Sequence, residues 1–216
     1  MARKLSRSAA DYVPASRNLT VLKGASRNCR GCDLYINATQ TVFGAGKSKA
    51  RVMFVGEQPG DKEDLAGEPF VGPAGALLSR AMDEAGIDRS AAYVTNAVKH
   101  FKFELRGKKR IHKKPASMEI AACRPWLNSE IEAVHPEIIV CLGATAAQSL
   151  LGKNFRVTKQ RGELIASELA PQILATVHPS SILRAPDEES RHREYAAFVS
   201  DLKVVAKSLH SHRRAA

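Results

Sequence analysis

RVMFVGEQPG, residues 51–60, decides the fold: Val52, Met53, Phe54 and Val55 run unbroken into a glycine and then a polar turn. A short apolar run bounded by turn residues reads as a strand buried on both faces. Three other runs share the pattern: residues 93–98 (YVTNAV), residues 138–142 (IIVCL) and residues 173–177 (ILATV). Helical periodicity fills the intervals. It covers residues 74–85, with Leu77, Leu78, Ala81 and Met82 on one face, and residues 117–134, with Ile120, Trp126, Leu127 and Ile131 on one face. A last helix over residues 187–209 opens acidic and ends basic, as the helix dipole favours. Strands alternating with helices imply a single-domain α/β/α sandwich around a central four-stranded, mainly parallel sheet. The domain is expected over residues 16–210, with basic tails at 1–15 and 211–216.

Ligands of such sheets bind beyond the carboxyl ends of the strands. Here those ends carry Glu57 and Gln58 after the first strand, Asn96 in the second, Gly143 after the third and His178 after the fourth. A lone polar residue at a strand end is commonly structural, whereas four regions converging on one edge point to a site. Residues 99–115 form the longest irregular stretch, and the cluster Lys108, Lys109, Arg110, His112, Lys113 and Lys114 makes it strongly basic.

The whole chain is basic too, with 33 Lys+Arg against 22 Asp+Glu and a net charge of +11 over 216 residues. That field favours nucleic acid as partner. No apolar run is long enough to span a bilayer, and the basic N-terminus lacks the apolar stretch of a secretory signal, so a cytoplasmic protein without membrane partners is expected. Residues 44–48 (GAGKS) are a turn and no phosphate loop, because the first glycine of that motif would fall at Thr41. The H-x-E and P-C-x-x-C pair of zinc deaminases does not occur.

Cys29 and Cys32 form a tight C-x-x-C, while Cys123 lies in a helical pattern and Cys141 in a strand pattern. No strand precedes the C-x-x-C, as a redox-active pair would require. A four-thiolate metal site fits the cysteines better than disulfides do, with an iron-sulfur cluster favoured over zinc. Cys123 and Cys141 also read as small buried hydrophobes.

Four motifs carry a family resemblance: GEQPG at residues 56–60, GEPFVGPAG at 67–75, VTNAVKHFKF at 94–103 and VHPSS at 177–181. From Cys29 to the final helix the sequence resembles the iron-sulfur (family 4-like) branch of the uracil-DNA glycosylases. Gln58 together with GKKRIH at 107–112 is similar to UdgX, the subgroup that cross-links itself to uracil-containing DNA. The resemblance implies one 4Fe-4S cluster on Cys29, Cys32, Cys123 and Cys141. It implies that Phe70 stacks on a flipped base, that the Asn96 amide reads uracil, with Gln58 nearby, and that His178 lies against O2 of the base. His112 then captures the sugar carbon when the glycosidic bond breaks, with Glu57, Gln58 and Arg110 around it. Lys108, Lys109, Arg110, Lys113, Ser180 and Arg184 contact DNA, single-stranded DNA included, and Ile182 or Leu183 wedges into the vacated stack. Glu57 is expected to pair with Arg110, and the loop cations to keep His112 neutral.

Three readings follow for a monomer acting on uracil-containing DNA. They are a single-turnover glycosylase that bonds through His112, a turnover glycosylase that uses an activated water, and a non-enzymatic iron-sulfur DNA-binding module.

Overall fold

The computed structural model describes residues 8–215. In chain order the elements are α1 (Leu19–Ser26), β1 (Ala45–Gly46), β2 (Val52–Gly56), α2 (Asp61–Ala66), α3 (Pro73–Ala85), β3 (Ala92–Asn96), β4 (Phe103–Arg106), β5 (Lys109–His112), α4 (Ser117–Val134), β6 (Ile138–Leu142), α5 (Ala144–Leu151), α6 (Val157–Gln160), β7 (Leu164–Ile165), β8 (Gln172–Thr176), α7 (Pro179–Leu183) and α8 (Glu188–Ala215). The main sheet runs β1-β3-β2-β6-β8-β7. Its four inner strands are parallel, and the two outer ones are antiparallel. The sheet is therefore six-stranded where four strands were expected. Both additions are two residues long, too short to leave a periodic signal.

Alternate side chains of the inner strands feed two cores. Phe54, Val94, Val140 and Leu174 pack under α3 and α8, with Leu78, Met82, Phe198 and Leu202 facing them. Met53, Val55, Ile139 and Ile173 face the other way, against Leu127 and Ile131 of α4 and Ala146 of α5. Burial on both faces is why these strands read as continuous apolar runs. A third cluster joins the N-terminal segment to the first half of α4 through Leu22, Leu34, Phe43, Cys123 and Trp126.

Residues 99–115 were expected to be irregular. They contain a hairpin instead, with Phe103 opposite His112 and Arg106 opposite Lys109. Gly107 takes a left-handed φ of 59° at its turn, a conformation that costs a glycine little. Of the expected N-terminal tail, residues 1–7 lie outside the described residues. Ser8 caps a 3-10 turn at Ala9–Tyr12 whose Ala9 is buried, so that stretch belongs to the fold. At the other end α8 continues through residues 211–215, where a tail was expected, and Ala216 lies outside the described residues.

One ion pair sits inside this framework. Lys99 and Glu130 are both fully buried, and their side chains are paired. Glu130 also accepts hydrogen bonds from the Gly44 amide at 2.8 Å, the Tyr93 hydroxyl at 3.0 Å and the Thr95 hydroxyl. Removing one partner of such a pair strands the other charge without water. Lys99→Met alone is expected to lower the free energy of unfolding by about 3–5 kcal/mol. Urea denaturation checks this, and a loss under about 1 kcal/mol would contradict it.

Candidate active site

The in-register parallel ladder ends with Gly56 opposite Asn96 and Leu142 opposite Thr176. The residues that follow line a cavity of about 610 Å³. Glu57, Gln58, Asn96, Gly143 and His178 all reach it, joined by Phe70 from the loop before α3 and by His112 from β5. Ser180, Lys114 and Arg184 line it as well.

Its floor is set by close packing. A side-chain carbon at Gly56 would collide with Asn96 Oδ1 and with the Phe70 ring, so only glycine lets both approach β2. Phe70 itself adopts a left-handed φ of 58°, a backbone state that costs roughly 1–3 kcal/mol outside glycine. Its carbonyl lies against Gly75, where a side chain would overlap it. Glu63 of α2 ties the two loops of the cavity together, accepting the Gly60 amide at 3.1 Å and the Gly72 amide at 2.7 Å. The Phe70 and His178 rings face one another, 25° from parallel with centroids 6.3 Å apart.

His178 begins α7. The Ser180 amide donates to its Nδ1 at 3.1 Å, which leaves the ring proton on Nε2. Burial pushes its pKa down to about 4, and Arg184 and His112 add to the effect. The ring is thus a neutral donor at physiological pH. Burial also lowers the pKa of His112, Glu57 opposes the shift and Arg184 reinforces it. The loop cations expected to keep His112 neutral are not the source of its shift. The His112 side chain is half exposed at the cavity mouth, with Nε2 3.4 Å from Glu57 Oε1. Thr145, at the start of α5, donates its hydroxyl to the other Glu57 oxygen and so aims the carboxylate.

Glu57 and Gln58, one shared assignment in the sequence, have separate surroundings. Gln58 accepts the Lys102 amide at 3.1 Å and donates to the Lys102 and Lys113 carbonyls at 3.2 and 3.0 Å. It clasps both ends of the hairpin that carries His112. Arg110 does not pair with Glu57. It reaches Asp61, Asp64 at 2.6 Å and Thr39 at 3.1 Å, and its guanidinium lies 5.1 Å from the Phe103 ring centroid. That latch fixes the hairpin to α2. Lys108, Lys109 and Lys113 are exposed on the hairpin, and Lys113 is bonded to Glu104 at 2.5 Å. Ile182 is buried in the core, whereas Leu183 is 39% exposed. Thr145, Asp61, Asp64 and Glu63 escaped sequence reasoning. Only the acidic clustering in DKED at residues 61–64 offered a signal.

The four cysteines are buried but do not come together. Cys29, Cys32 and Cys123 share the N-terminal cluster, while Cys141 lies in the sheet core among Leu127, Ile131 and Ile139. The reason is topological: β6 is a central strand, and Cys141 points to the face that α5 and the second half of α4 cover. Among the described residues no group of three or more His, Cys, Asp or Glu side chains is arranged to hold a metal ion. The corner with three thiols nevertheless suits a sulfur-rich guest. The buried Trp126 Nε1 has no hydrogen-bond partner there, and the Lys99 amide donates to Cys123 Sγ at 3.3 Å.

Comparison with known proteins assigns the family. The model of the uracil DNA glycosylase superfamily matches residues 43–203. A type-4 uracil-DNA glycosylase of Thermotoga maritima is 39% identical over 166 residues, which cover 76% of this chain and 83% of that protein. The protein of the same name from Archaeoglobus fulgidus is 36% identical over 166 residues, covering 74% of this chain and 80% of its own length. That from Sulfurisphaera tokodaii is 33% identical over 198 residues, covering 88% and 87%. With a matching fold, four strand ends on one cavity and these relatives, the chain belongs to the uracil-DNA glycosylase superfamily.

Proposed function

We propose that this protein recognises uracil in DNA, cleaves its N-glycosidic bond and, in a single turnover, joins His112 to C1′ of the sugar, as in the UdgX subgroup. The observation that carries the reading is the imidazole of His112, half exposed and set 3.4 Å from Glu57 at the mouth of a cavity that holds Phe70, Asn96 and His178.

The flipped base enters the cavity, stacks on Phe70 and meets the Asn96 amide, whose donor and acceptor match O4 and N3–H of uracil. Cytosine presents the reverse pattern at those positions and would leave buried groups unpaired. As the C1′–N1 bond breaks, its electron pair leaves with uracil, and the charge building on O2 is met by the Nε2–H of His178. The sugar carbon becomes oxocarbenium-like, and His112 supplies the electron pair for a new C1′–N bond. The proton released by the imidazole passes to Glu57 and from there to the departing uracil. Gln58 and Arg110 hold the hairpin and act through it. Lys108, Lys109, Lys113, Ser180 and Arg184 bind phosphates, and the exposed Leu183 fills the space left in the stack. Single-stranded DNA offers the base without the cost of unpairing it. The protein acts as a monomer on this reading.

Cys29, Cys32 and Cys123 would supply three of the four ligands that a 4Fe-4S cluster takes. Breaking an N-glycosidic bond transfers no electrons, so such a cluster would serve to fasten the N-terminal segment to α4.

Three outcomes test these assignments. Incubation with a uracil-containing oligonucleotide is expected to give an adduct that survives boiling in detergent, absent with a thymine control and absent in His112→Ala. Free uracil in large molar excess over protein, with no adduct, would identify a turnover glycosylase that uses water. The adduct rate should be flat at pH 7–8 and should fall only in acid. The imidazole is nucleophilic when neutral, and its lowered pKa moves protonation below the ordinary value of about 6.5. A rate already halved at pH 7 contradicts that order. Finally, Cys123→Ser should lose iron and brown colour, while Cys141→Ala keeps both. Equal iron loss in the two variants would restore Cys141 to the ligand set.

A further inference from the structure

The proposed chemistry makes no use of the buried Lys99–Glu130 pair, yet that pair touches the residue that reads the base. Lys99 Nζ donates to the backbone carbonyl of Asn96 at 2.7 Å and to the Thr95 hydroxyl at 2.7 Å, besides pairing with Glu130. Asn96 is the last residue of β3, opposite Gly56, the last of β2. Beyond this point the ladder no longer fixes the chain. The peptide that follows Asn96 is instead gripped at both ends: its carbonyl by Lys99, and its N–H, that of Ala97, by the Gly56 carbonyl at 2.9 Å. The next amide, Val98, donates to the Glu57 carbonyl at 3.0 Å. The orientation of the Asn96 Cα, and with it the aim of its side-chain amide, thus depends on a cation inside the protein.

We propose that Lys99, held in place by Glu130, is a positioning residue for Asn96 and thereby sets the discrimination between uracil and cytosine. This inference rests on the reading of the cavity as a uracil site. A stability role alone is a poor account of the pair, because a buried ion pair can commonly be replaced by apolar groups of similar volume without loss of stability. Here the sheet is already anchored by four parallel strands and two apolar cores. Base reading depends on angles that apolar packing does not fix, since a hydrogen bond weakens steeply as it departs from linearity.

The test removes both charges at once in the double variant Lys99→Met, Glu130→Gln. A glutamine oxygen still accepts from the Gly44 amide and the Tyr93 hydroxyl, and neither charge is left unpaired. The grip on the Asn96 carbonyl is lost. Reaction rates on uracil- and cytosine-containing oligonucleotides are measured beside the melting temperature and the side-chain amide signals of Asn96 in 15N-asparagine-labelled protein. The expected result is a melting temperature within a few degrees of wild type, a shifted or broadened Asn96 signal and a fall in the uracil rate of roughly 100-fold, the scale of a misplacement near 1 Å. The uracil-to-cytosine ratio falls with it. A folded double variant with the wild-type ratio and an unmoved Asn96 signal overturns the proposal. If the double variant does not fold, the polar double variant Lys99→Gln, Glu130→Gln, which also leaves no buried charge and is too short to keep the grip on the Asn96 carbonyl, decides by the same two readouts. Failure of the underlying reading looks different, because the wild-type protein itself would then show no preference for uracil.

Discussion

In-register parallel pairing of β2, β3, β6 and β8 is the constraint on which the rest of the structure depends. Parallel strands deliver their carboxyl ends to one edge, and the crossover helices that connect them leave that edge uncovered. Shifting one strand by a single residue would exchange its two faces, moving Phe54 or Val94 out of one core and into the other. Register is thus held by two apolar cores at once. The relative heights of Asn96, Glu57 and His178 follow from it, so the site inherits its geometry from packing several residues away.

What pairing alone does not set is supplied by devices particular to this edge. Glycine at position 56 lets Asn96 and Phe70 meet over the end of β2. Glu63 binds the two glycine loops, and Phe70 keeps a left-handed backbone that an isolated chain would avoid. Local strain persists where its surroundings over-determine it, and here the close approach of Gly75 and the flanking loop contacts do so. The hairpin is attached by polar contacts instead: Gln58 at its base and Arg110 in the acidic corner of α2. His112 therefore stands on an element fastened to the cavity wall and not on a free loop.

Much of this was legible because strands buried on both faces leave unbroken apolar runs. RVMFVG and IIVCL announced the inner sheet, and the polar residues just after them announced its working edge. The two-residue outer strands were silent, as was the hairpin, whose alternation is masked by its charges. Long-range pairing was the harder matter. Nothing in the spacing tells that Arg110 turns to Asp61 and Asp64, or that Cys141 lies in the sheet core away from Cys123, because those outcomes depend on which face of an element looks at which neighbour. The role of Thr145 was equally hidden, since a threonine opening a helix reads as an ordinary start.

Charge resolves an apparent conflict in the site. A protein of net charge +11 draws in a polyanion, while a nucleophilic histidine has to lack a charge of its own. If the basic hairpin were the device that neutralised His112, salt would weaken DNA binding and restore the histidine proton together, because solvent-exposed charges are screened alike. Burial is the main cause of the shift, and Arg184 is the cation that adds to it. Desolvation does not respond to salt as exposed charges do. On the proposed reading the exposed hairpin lysines carry phosphate attraction and the cavity sets the state of His112, with Arg184, which lines the cavity and also faces solvent, as the one cation common to both.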